Sequence, residues 1–317
     1  MIDVVALGEL LIDFTMLSAD AAGYPVMAAH PGGAPANFLA ALAKFGRRTA
    51  LLGKVGTDKF GRLLTDTLES AGIDTRGLIH ADDVFTTLAF VTLDETGDRE
   101  FSFSRKPGAD TCIRFEEIDC ALIDEAQVFH FGTLSLTDEP ARETTKRAVA
   151  YAREKGKLIT FDPNLRRPLW RELDEAKRQM LWGLEQADVV KISDEEVEFL
   201  FGMEPQVGAK HILENCGVKL VFVTCGAEGC FFMNEHACGH VPALAGVKAI
   251  DTTGAGDIFG GSAVHGLLKA GKAPEKLDRA ELEEIVRFAC AAAGLSTQAH
   301  GGISSVPALQ DVMRSMN

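Results

Sequence analysis

Strand-like and helix-like segments alternate along almost the whole of this 317-residue chain. The strand-like runs are short and mostly apolar, as in strands that are buried on both faces, and they cover residues 4–7, 50–52, 128–131, 158–161, 189–192 and 220–224. Helical patterns separate most of these runs, notably over residues 139–154 and 171–186. The alternation predicts an α/β fold in which a doubly wound parallel sheet is flanked by crossover helices.

One stretch breaks the alternation and predicts a β-hairpin. Residues 86–92 and 100–103 are typical of strands, and residues 94–98 between them are typical of a turn. No linker rich in Gly, Ser or Pro divides the chain. We therefore expect a single domain over residues 1–317, with the hairpin as an insertion.

Residues 251–257 read Asp-Thr-Thr-Gly-Ala-Gly-Asp and combine two glycines, two acids and the start of a helix. Apolar side chains at helical spacing follow, so a helix is predicted to begin near Gly256. The first amides of a helix have no carbonyl partner within it, and Gly254 and Gly256 would let phosphate oxygens approach those amides. Asp257, in the first turn, either stabilises the helix or acts as a base.

Residues 251–261 resemble the C-terminal signature of the ribokinase-like, or PfkB, family of sugar and nucleoside kinases. Residues 32–46 and 53–61 resemble, in the expected order, the N-terminal signature of that family. The resemblance implies a ribokinase-like α/β fold with a small β-sheet lid, formed by approximately residues 10–30 and 85–107. It also implies transfer of the γ-phosphoryl group of ATP to a sugar, with Asp257 as general base beside Gly254, Ala255 and Gly256.

The sugar-binding residues are predicted from both the pattern and the resemblance. The sequence Gly-Gly-Ala-Pro-Ala-Asn at residues 32–37 opens a helix, and an Asn side chain there can both donate to and accept from a hydroxyl group. Taken alone, the same pattern fits a tight turn with a capping Asn equally well. The resemblance predicts that the substrate-binding residues are Asp13, Gly32, Gly33, Asn37, Arg105 and Arg166.

The nucleotide and ion sites are predicted in the loops that follow the strands, since doubly wound folds bind ligands at the carboxyl ends of their strands. By the resemblance, the ATP-binding residues are Asn164, Arg166, Ser193, Thr224, Gly226, Gly229, Gly254 and Gly256. Ser193 stands where ribokinase has Asn, whereas Glu196 keeps the position that organises Mg²⁺ through water. A further site for a monovalent cation, K⁺, is expected at Asp251, Thr253, Gly301 and Ser305.

Composition restricts the partners and the compartment. The net charge of −14 argues against nucleic acid or an anionic membrane as a partner. Neither a membrane-spanning apolar run nor a basic secretory start is found, and the seven cysteines form no Cys-x-x-Cys pair, so we expect a cytoplasmic protein with reduced thiols. The chain also lacks the Gly-x-x-x-x-Gly-Lys-Ser/Thr run of the P-loop and the third glycine of the dinucleotide fingerprint.

The segment over residues 103–110 narrows the substrate. It resembles fructokinases and 2-keto-3-deoxygluconate kinases, in which an Arg closes on the substrate, and Arg105 occupies that place. The Phe-Ser-Phe-Ser run before Arg105 offers no further cation for a carboxylate, which favours fructose over the keto acid. A third interpretation, a non-catalytic sugar sensor on a kinase fold, has no use for Asp257. The resemblance further implies a homodimer formed through the lid.

Overall fold

The structure, a computed structural model, describes residues 2–93 and 99–316. Its strands are β1 (Val4–Leu7), β2 (Leu11–Ala19), β3 (Pro25–Gly32), β4 (Thr49–Gly56), β5 (Ile73–Asp74), β6 (Leu78–Ala81), β7 (Leu88–Leu93), β8 (Arg99–Ser104), β9 (Val128–Gly132), β10 (Leu158–Asp162), β11 (Val189–Ser193), β12 (Leu220–Thr224), β13 (Cys230–Asn234) and β14 (Cys238–Val241). Its helices are α1 (Ala34–Lys44), α2 (Lys59–Ser70), α3 (Cys120–Glu125), α4 (Ala141–Glu154), α5 (Leu173–Gln186), α6 (Asp194–Phe201), α7 (Pro205–Cys216), α8 (Ala255–Ala270), α9 (Arg279–Ser296) and α10 (Leu309–Ser315).

The main sheet has the strand order β14-β13-β12-β11-β10-β9-β1-β4-β5, with β6 also paired to β4. The strands from β12 to β5 pair in parallel, and β13 and β14 extend one edge antiparallel. This confirms the predicted α/β fold. Strand β4 continues beyond the predicted residue 52 because Gly53 and Lys54 pair with β6, although neither is a typical strand residue.

Both faces of the main sheet are covered, as the continuous apolar runs predict. Val5 and Leu7 of β1 pack into one hydrophobic cluster together with residues of α4 and α5. Val4 and Ala6 point to the opposite face and pack into a second cluster together with residues of α1. This alternation places helices on the two sides of the sheet.

The strand order reverses between β1 and β9. From β1 the chain moves to β4 on one side, and from β9 it moves to β10 on the other. In open α/β sheets a crevice forms at such a reversal, outside the carboxyl ends of the strands. The loops that follow β1, β9, β10, β11 and β12 all leave the sheet at this edge.

A second, four-stranded sheet stands apart from the main one, with the order β3-β2-β7-β8. The predicted hairpin is present as β7 and β8, which pair antiparallel from Leu88 with Ser104 to Leu93 with Arg99. Its predicted turn, residues 94–98, lies outside the described residues. The four strands fall within the two segments predicted to form a lid, and closure of this sheet over a substrate stays a prediction.

Helices α1 and α8 pack against each other and bring the two signature segments together. Gly261 makes this possible, because a Cβ atom at this position would collide with the carbonyl oxygen of Phe38. Ile258 and Phe38 are buried in the same cluster. The starts of both helices are thereby held side by side, although more than 200 residues separate them in the sequence. Among the described residues, no helix has the length and apolarity that crossing a bilayer requires.

Candidate active site

The start of α8 lies at the centre of the candidate site. Gly254 caps the helix in the left-handed region, at φ 76°, which a residue with a side chain rarely adopts. The Ala255 amide bonds to the carbonyl of Thr252 at 3.3 Å, and Gly256 and Asp257 follow in the first turn. The positive end of the helix dipole therefore faces the crevice and favours an anion there.

Asp257 is buried, and its carboxylate is held by Asn37 on the neighbouring helix. Asn37 Nδ2 donates to Asp257 Oδ2 at 2.9 Å. Burial raises the pKa of Asp257, whereas the Asn37 hydrogen bond and the positive charge of Lys191 lower it. The contact fixes one carboxylate oxygen and leaves Oδ1 to accept a proton.

The oxygen atom of the Asn37 amide, Oδ1, indicates a position where a ligand could bind. Asn37 Oδ1 is buried and has no hydrogen-bond partner among the described residues. It lies against Gly302, where a Cβ atom would collide with it. A buried acceptor without a donor is costly, so a ligand hydroxyl at this position would remove the cost.

Asp13 reaches the crevice from β2, at the base of the small sheet. Its Oδ2 lies against Gly32, where a Cβ atom would collide with the carboxylate. Burial raises the pKa of Asp13 to about 7, although the positive charge of Arg166 opposes the rise. The negative charges of Asp257 and Asp251 raise the pKa further. Gly33, at the start of α1, is buried on this side, and a Cβ atom there would collide with the Glu9 carbonyl oxygen.

Asn164 follows β10 in an unusual backbone conformation. It is the one described non-glycine residue with a positive φ, at 45°, and it is buried. Such backbone costs of order 1–3 kcal/mol and is found most often where a function requires it. Arg166, two residues on, is close enough to Asp13 and Asp257 to lower the pKa of both.

Ser193 and Glu196 form a capping box at the start of α6. Ser193 Oγ accepts from the Glu196 amide at 3.2 Å, and Glu196 Oε2 accepts from the Ser193 amide at 2.9 Å. Glu196 Oε1 also accepts from the Leu165 amide at 2.7 Å. Glu196 is thus a fixed buried carboxylate that ties the loop after β10 to the loop after β11, and its charge faces the crevice.

Thr224, Gly226 and Gly229 form a tight turn after β12. Gly226 and Gly229 have φ values of 51° and 102°, and the Cys225 amide bonds to the Gly229 carbonyl at 2.8 Å. A Cβ atom on Gly229 would collide with the carbonyl oxygen of Val241. The turn leaves open backbone at the same edge as Ser193.

Asp251 joins the loop before α8 to the loop after α9. Its Oδ1 accepts from the Thr253 amide at 2.9 Å, and its Oδ2 accepts from the Gly301 amide at 3.1 Å. Ser305 belongs to the same loop and donates its hydroxyl to the Gly302 carbonyl. The four residues predicted for a monovalent cation are therefore brought together. Among the described residues, no group of three or more His, Cys, Asp or Glu side chains is arranged to hold a metal ion.

Arg105 is placed differently from the free lid arginine that the sequence suggests. It follows β8, where the small sheet rejoins the main domain, and its side chain is only 2% exposed. Its Nε donates to Asp110 Oδ2 at 2.8 Å, and its Nη2 donates to the Leu134 carbonyl at 2.8 Å. Its Nη1 donates to Thr137 Oγ1 at 2.7 Å. Arg105 thus stabilises the junction between the two sheets.

Three charged residues of the crevice do not follow from the motifs. Glu9, after β1, is buried and accepts from the Ala34 amide at 2.8 Å, and burial raises its pKa to about 7. Asp162 and Lys191 form a buried ion pair between β10 and β11 at 3.0 Å. The sequence contains one signal that could have identified them, namely a charged residue within or at the end of an otherwise apolar strand.

Comparison with known proteins assigns the fold and its relatives. The family model for pfkB family carbohydrate kinases matches residues 1–309. Fructokinase-1 of Zea mays is 41% identical over 317 residues, which cover 98% of this chain and 96% of the maize protein. The structure of a fructokinase from Xylella fastidiosa with bound ATP superposes with a TM-score of 0.91 at 30% identity, over 100% of this chain and 98% of that one.

A second solved structure contains a sugar, a nucleotide and a potassium ion. It is a double mutant of the fructokinase from Vibrio cholerae O395, with fructose, ADP and a potassium ion bound. Its TM-score is 0.87 at 32% identity, over 100% of this chain and 99% of that one.

Proposed function

This chain belongs to the PfkB family of carbohydrate kinases, and we propose that it is an ATP-dependent fructokinase that converts fructose to fructose 6-phosphate. The observation that supports the proposal most is the buried Asp257 at the start of α8, held by Asn37 with one carboxylate oxygen to spare. This arrangement puts a base next to an anion site. The fructokinases of maize and Xylella support fructose as the acceptor.

The reaction is an in-line displacement. The sugar hydroxyl oxygen forms a bond to the γ-phosphorus, the bond from that phosphorus to the bridging oxygen of ADP breaks, and the hydroxyl proton passes to Asp257 Oδ1. A loose phosphoryl transition state needs positioning and charge neutralisation more than covalent chemistry. The backbone amides around Gly254, Ala255 and Gly256 and the α8 dipole would supply part of that charge, although the Ala255 amide also donates to the Thr252 carbonyl.

Fructose would lie between the small sheet and α1. The Asp13 carboxylate and Asn37 Oδ1 would accept its hydroxyl groups, and Gly32 and Gly33 let these groups approach by having no side chain. We assign Arg105 and Arg166 to the same side of the sugar, and burial raises the pKa of Asp13 there although the charge of Arg166 opposes the rise. The sheet formed by β2, β3, β7 and β8 would close as a lid over the single domain, which keeps water away from the base.

ATP would lie along the loops after β10, β11 and β12. Asn164 and Arg166 approach its phosphates, and Ser193, Thr224, Gly226 and Gly229 line the path of its ribose and phosphates. When bound, Mg²⁺ neutralises the phosphate oxygens and keeps most of its water ligands. Glu196 fits binding to this ion through water molecules and not directly. Both of its carboxylate oxygens already accept hydrogen bonds from backbone amides, so the position of its charge is fixed. K⁺ would bind near Asp251, and a KCl titration of turnover tests that site.

Product identity tests the proposed function. We expect purified protein with ATP, Mg²⁺ and fructose to form equal amounts of ADP and fructose 6-phosphate, detected through phosphoglucose isomerase and glucose-6-phosphate dehydrogenase. ADP that forms without fructose 6-phosphate would contradict the assignment. Heat-inactivated protein provides the baseline.

The raised pKa of Asp13 predicts a pH dependence of fructose binding. An ionised carboxylate accepts two hydroxyl groups, and this form predominates only above a pKa of about 7. Between pH 8 and pH 6 we expect the fructose Kd, measured by calorimetry, to rise by about tenfold. Asp13→Asn should weaken binding by about tenfold or more and remove most of the pH dependence. An Asp13→Asn variant with wild-type slope and affinity would exclude this role.

The small sheet also exposes apolar side chains that fit a homodimer through the lid. Met16, Leu17, Tyr24 and Val26 lie on or between β2 and β3 and are 48%, 63%, 69% and 42% exposed. A clustered apolar surface of this kind is typical of an interface. We expect Leu17→Lys to shift the protein from dimer to monomer in light scattering, whereas Met313→Lys on α10 should not. A wild-type monomer at micromolar concentration would contradict the dimer.

The cytoplasm is the proposed compartment, because ATP is available there and thiols stay reduced. All seven cysteines of the chain lie within the described residues and are free. In a compartment that forms disulfides, the exposed Cys238 thiol would be open to oxidation. Cell fractionation tests this location.

A further inference from the structure

Lys191 lies in the middle of β11, between the buried residues Val190 and Ile192. Its side chain is 12% exposed, and its Nζ lies 3.0 and 3.3 Å from the two carboxylate oxygens of Asp162 on β10. A buried ion pair rarely stabilises a fold more than a well-packed apolar pair would. Packing alone therefore does not explain a cation at this position.

The position of the ammonium group relates it to the start of α8. A Cβ atom added to Gly256 would lie 2.9 Å from Lys191 Nζ, so the ammonium faces the glycine backbone directly. Gly256 immediately precedes Asp257, the proposed base. The charge of Lys191 is thus next to the place where the transferred phosphoryl group would lie, on the α8 side of the crevice.

The surrounding charges keep Lys191 protonated and leave it able to bind an anion. Although burial lowers the pKa of Lys191, the carboxylates of Asp162, Glu196 and Asp257 raise it above its ordinary value. Arg166 is the other cation that acts on Asp257. An ammonium group has three donors, so Lys191 can keep its contact with Asp162 and still donate to a phosphate oxygen.

We propose that Lys191 is a catalytic residue that donates from Nζ to a non-bridging oxygen of the transferred γ-phosphoryl group, with Asp162 as the residue that positions it. The inference rests on the proposed kinase function and adds a cation that the signature segments do not contain. A side chain at residue 256 would press against the Lys191 ammonium group, which the glycine avoids. As the phosphoryl group moves from ADP to the sugar, Lys191 balances the negative charge of the phosphoryl oxygens.

Nucleotide binding without sugar tests the proposal separately from turnover. Calorimetry with ADP and with the non-hydrolysable analogue AMP-PNP, both with Mg²⁺, compares ligands that differ by the γ-phosphoryl group. Lys191→Met keeps the length of the side chain and removes its charge. We expect AMP-PNP affinity to fall by about tenfold or more, and ADP affinity by less than about threefold. Lys191→Arg should recover part of the difference.

A double variant separates phosphate binding from neutralisation of Asp162. Lys191→Met leaves Asp162 buried without a partner, whereas Lys191→Met/Asp162→Asn removes both charges and should regain thermal stability. We expect that the double variant, like Lys191→Met, lacks the preference of the wild type for AMP-PNP over ADP. Recovery of that preference, or equal loss of both affinities in Lys191→Met, would overturn the proposal. Failure of the wild type to phosphorylate fructose would instead overturn the fructokinase assignment, because the binding comparison contains no sugar.

Discussion

Asp257→Asn is expected to lower kcat for fructose phosphorylation by at least about 10²-fold, while fructose and ATP still bind. The substitution keeps the size and shape of the side chain and can keep the contact with Asn37, because an amide oxygen also accepts from Asn37 Nδ2. It removes the group that accepts the hydroxyl proton. Steady-state kinetics and calorimetry on the same preparation measure both effects.

The matched control is another acid at the start of a helix. Asp278 caps α9, and its side chain accepts from the Glu281 amide at 3.0 Å, away from the crevice. Asp278→Asn should leave kcat within about twofold of the wild-type value, since a capping Asn is nearly as good as a capping Asp. If Asp257→Asn behaved like Asp278→Asn, Asp257 would be a helix-stabilising residue and the mechanism would lose its base.

Arg105→Ala is expected to destabilise the fold by about 3–5 kcal/mol, the range for breaking a buried ion pair. Arg105 and Asp110 side chains are each only 2% exposed. Removing the guanidinium leaves the Asp110 carboxylate buried with only Thr87, whose Oγ1 donates to it, and leaves the Leu134 carbonyl without its Arg105 donor. Urea denaturation followed by circular dichroism measures the loss.

Two comparisons isolate the buried charge as the cause. Arg314→Ala removes an ion pair with Asp311 in which the arginine is 78% exposed, and it should cost less than about 1 kcal/mol. Arg105→Ala/Asp110→Ala removes both buried charges and should be more stable than Arg105→Ala alone. If Arg105→Ala lost no more stability than Arg314→Ala, the pair would not hold the junction of the two sheets. Contact with the sugar would then be the remaining role for Arg105.

The fold could be predicted from periodicity because the strands of a parallel sheet are buried on both faces. Residues 4–7 and 220–223 are apolar, and the structure has β1 over Val4–Leu7 and β12 over Leu220–Thr224, as predicted. The bounds of β4 were predicted less well. Lys54 is not a typical strand residue, and it belongs to β4 because of contacts with residues that are distant in the chain. Its Nζ pairs with Glu117 at 2.6 Å, a contact 63 residues away in the chain.

The site could be predicted where one short segment contains both a glycine and a polar side chain. Gly254 at the start of α8 and Asn37 in the first turn of α1 are examples, because helix starts are visible in the sequence. The pairing of Asp162 with Lys191 depends instead on which two strands are neighbours. The burial of Arg105 depends on packing against Leu134, which no local pattern records.

The central claim is that this chain is a fructokinase, and kcat/KM for fructose against kcat/KM for 2-keto-3-deoxygluconate tests it most directly. Both are measured with saturating ATP and Mg²⁺ by release of ADP. An enzyme discriminates by differential binding in the transition state. In the proposed site Asp13, Asn37 and glycine backbone would contact neutral hydroxyl groups, and Arg105 is already paired to Asp110. The account predicts a clear preference for fructose. A higher kcat/KM for the keto acid would contradict it.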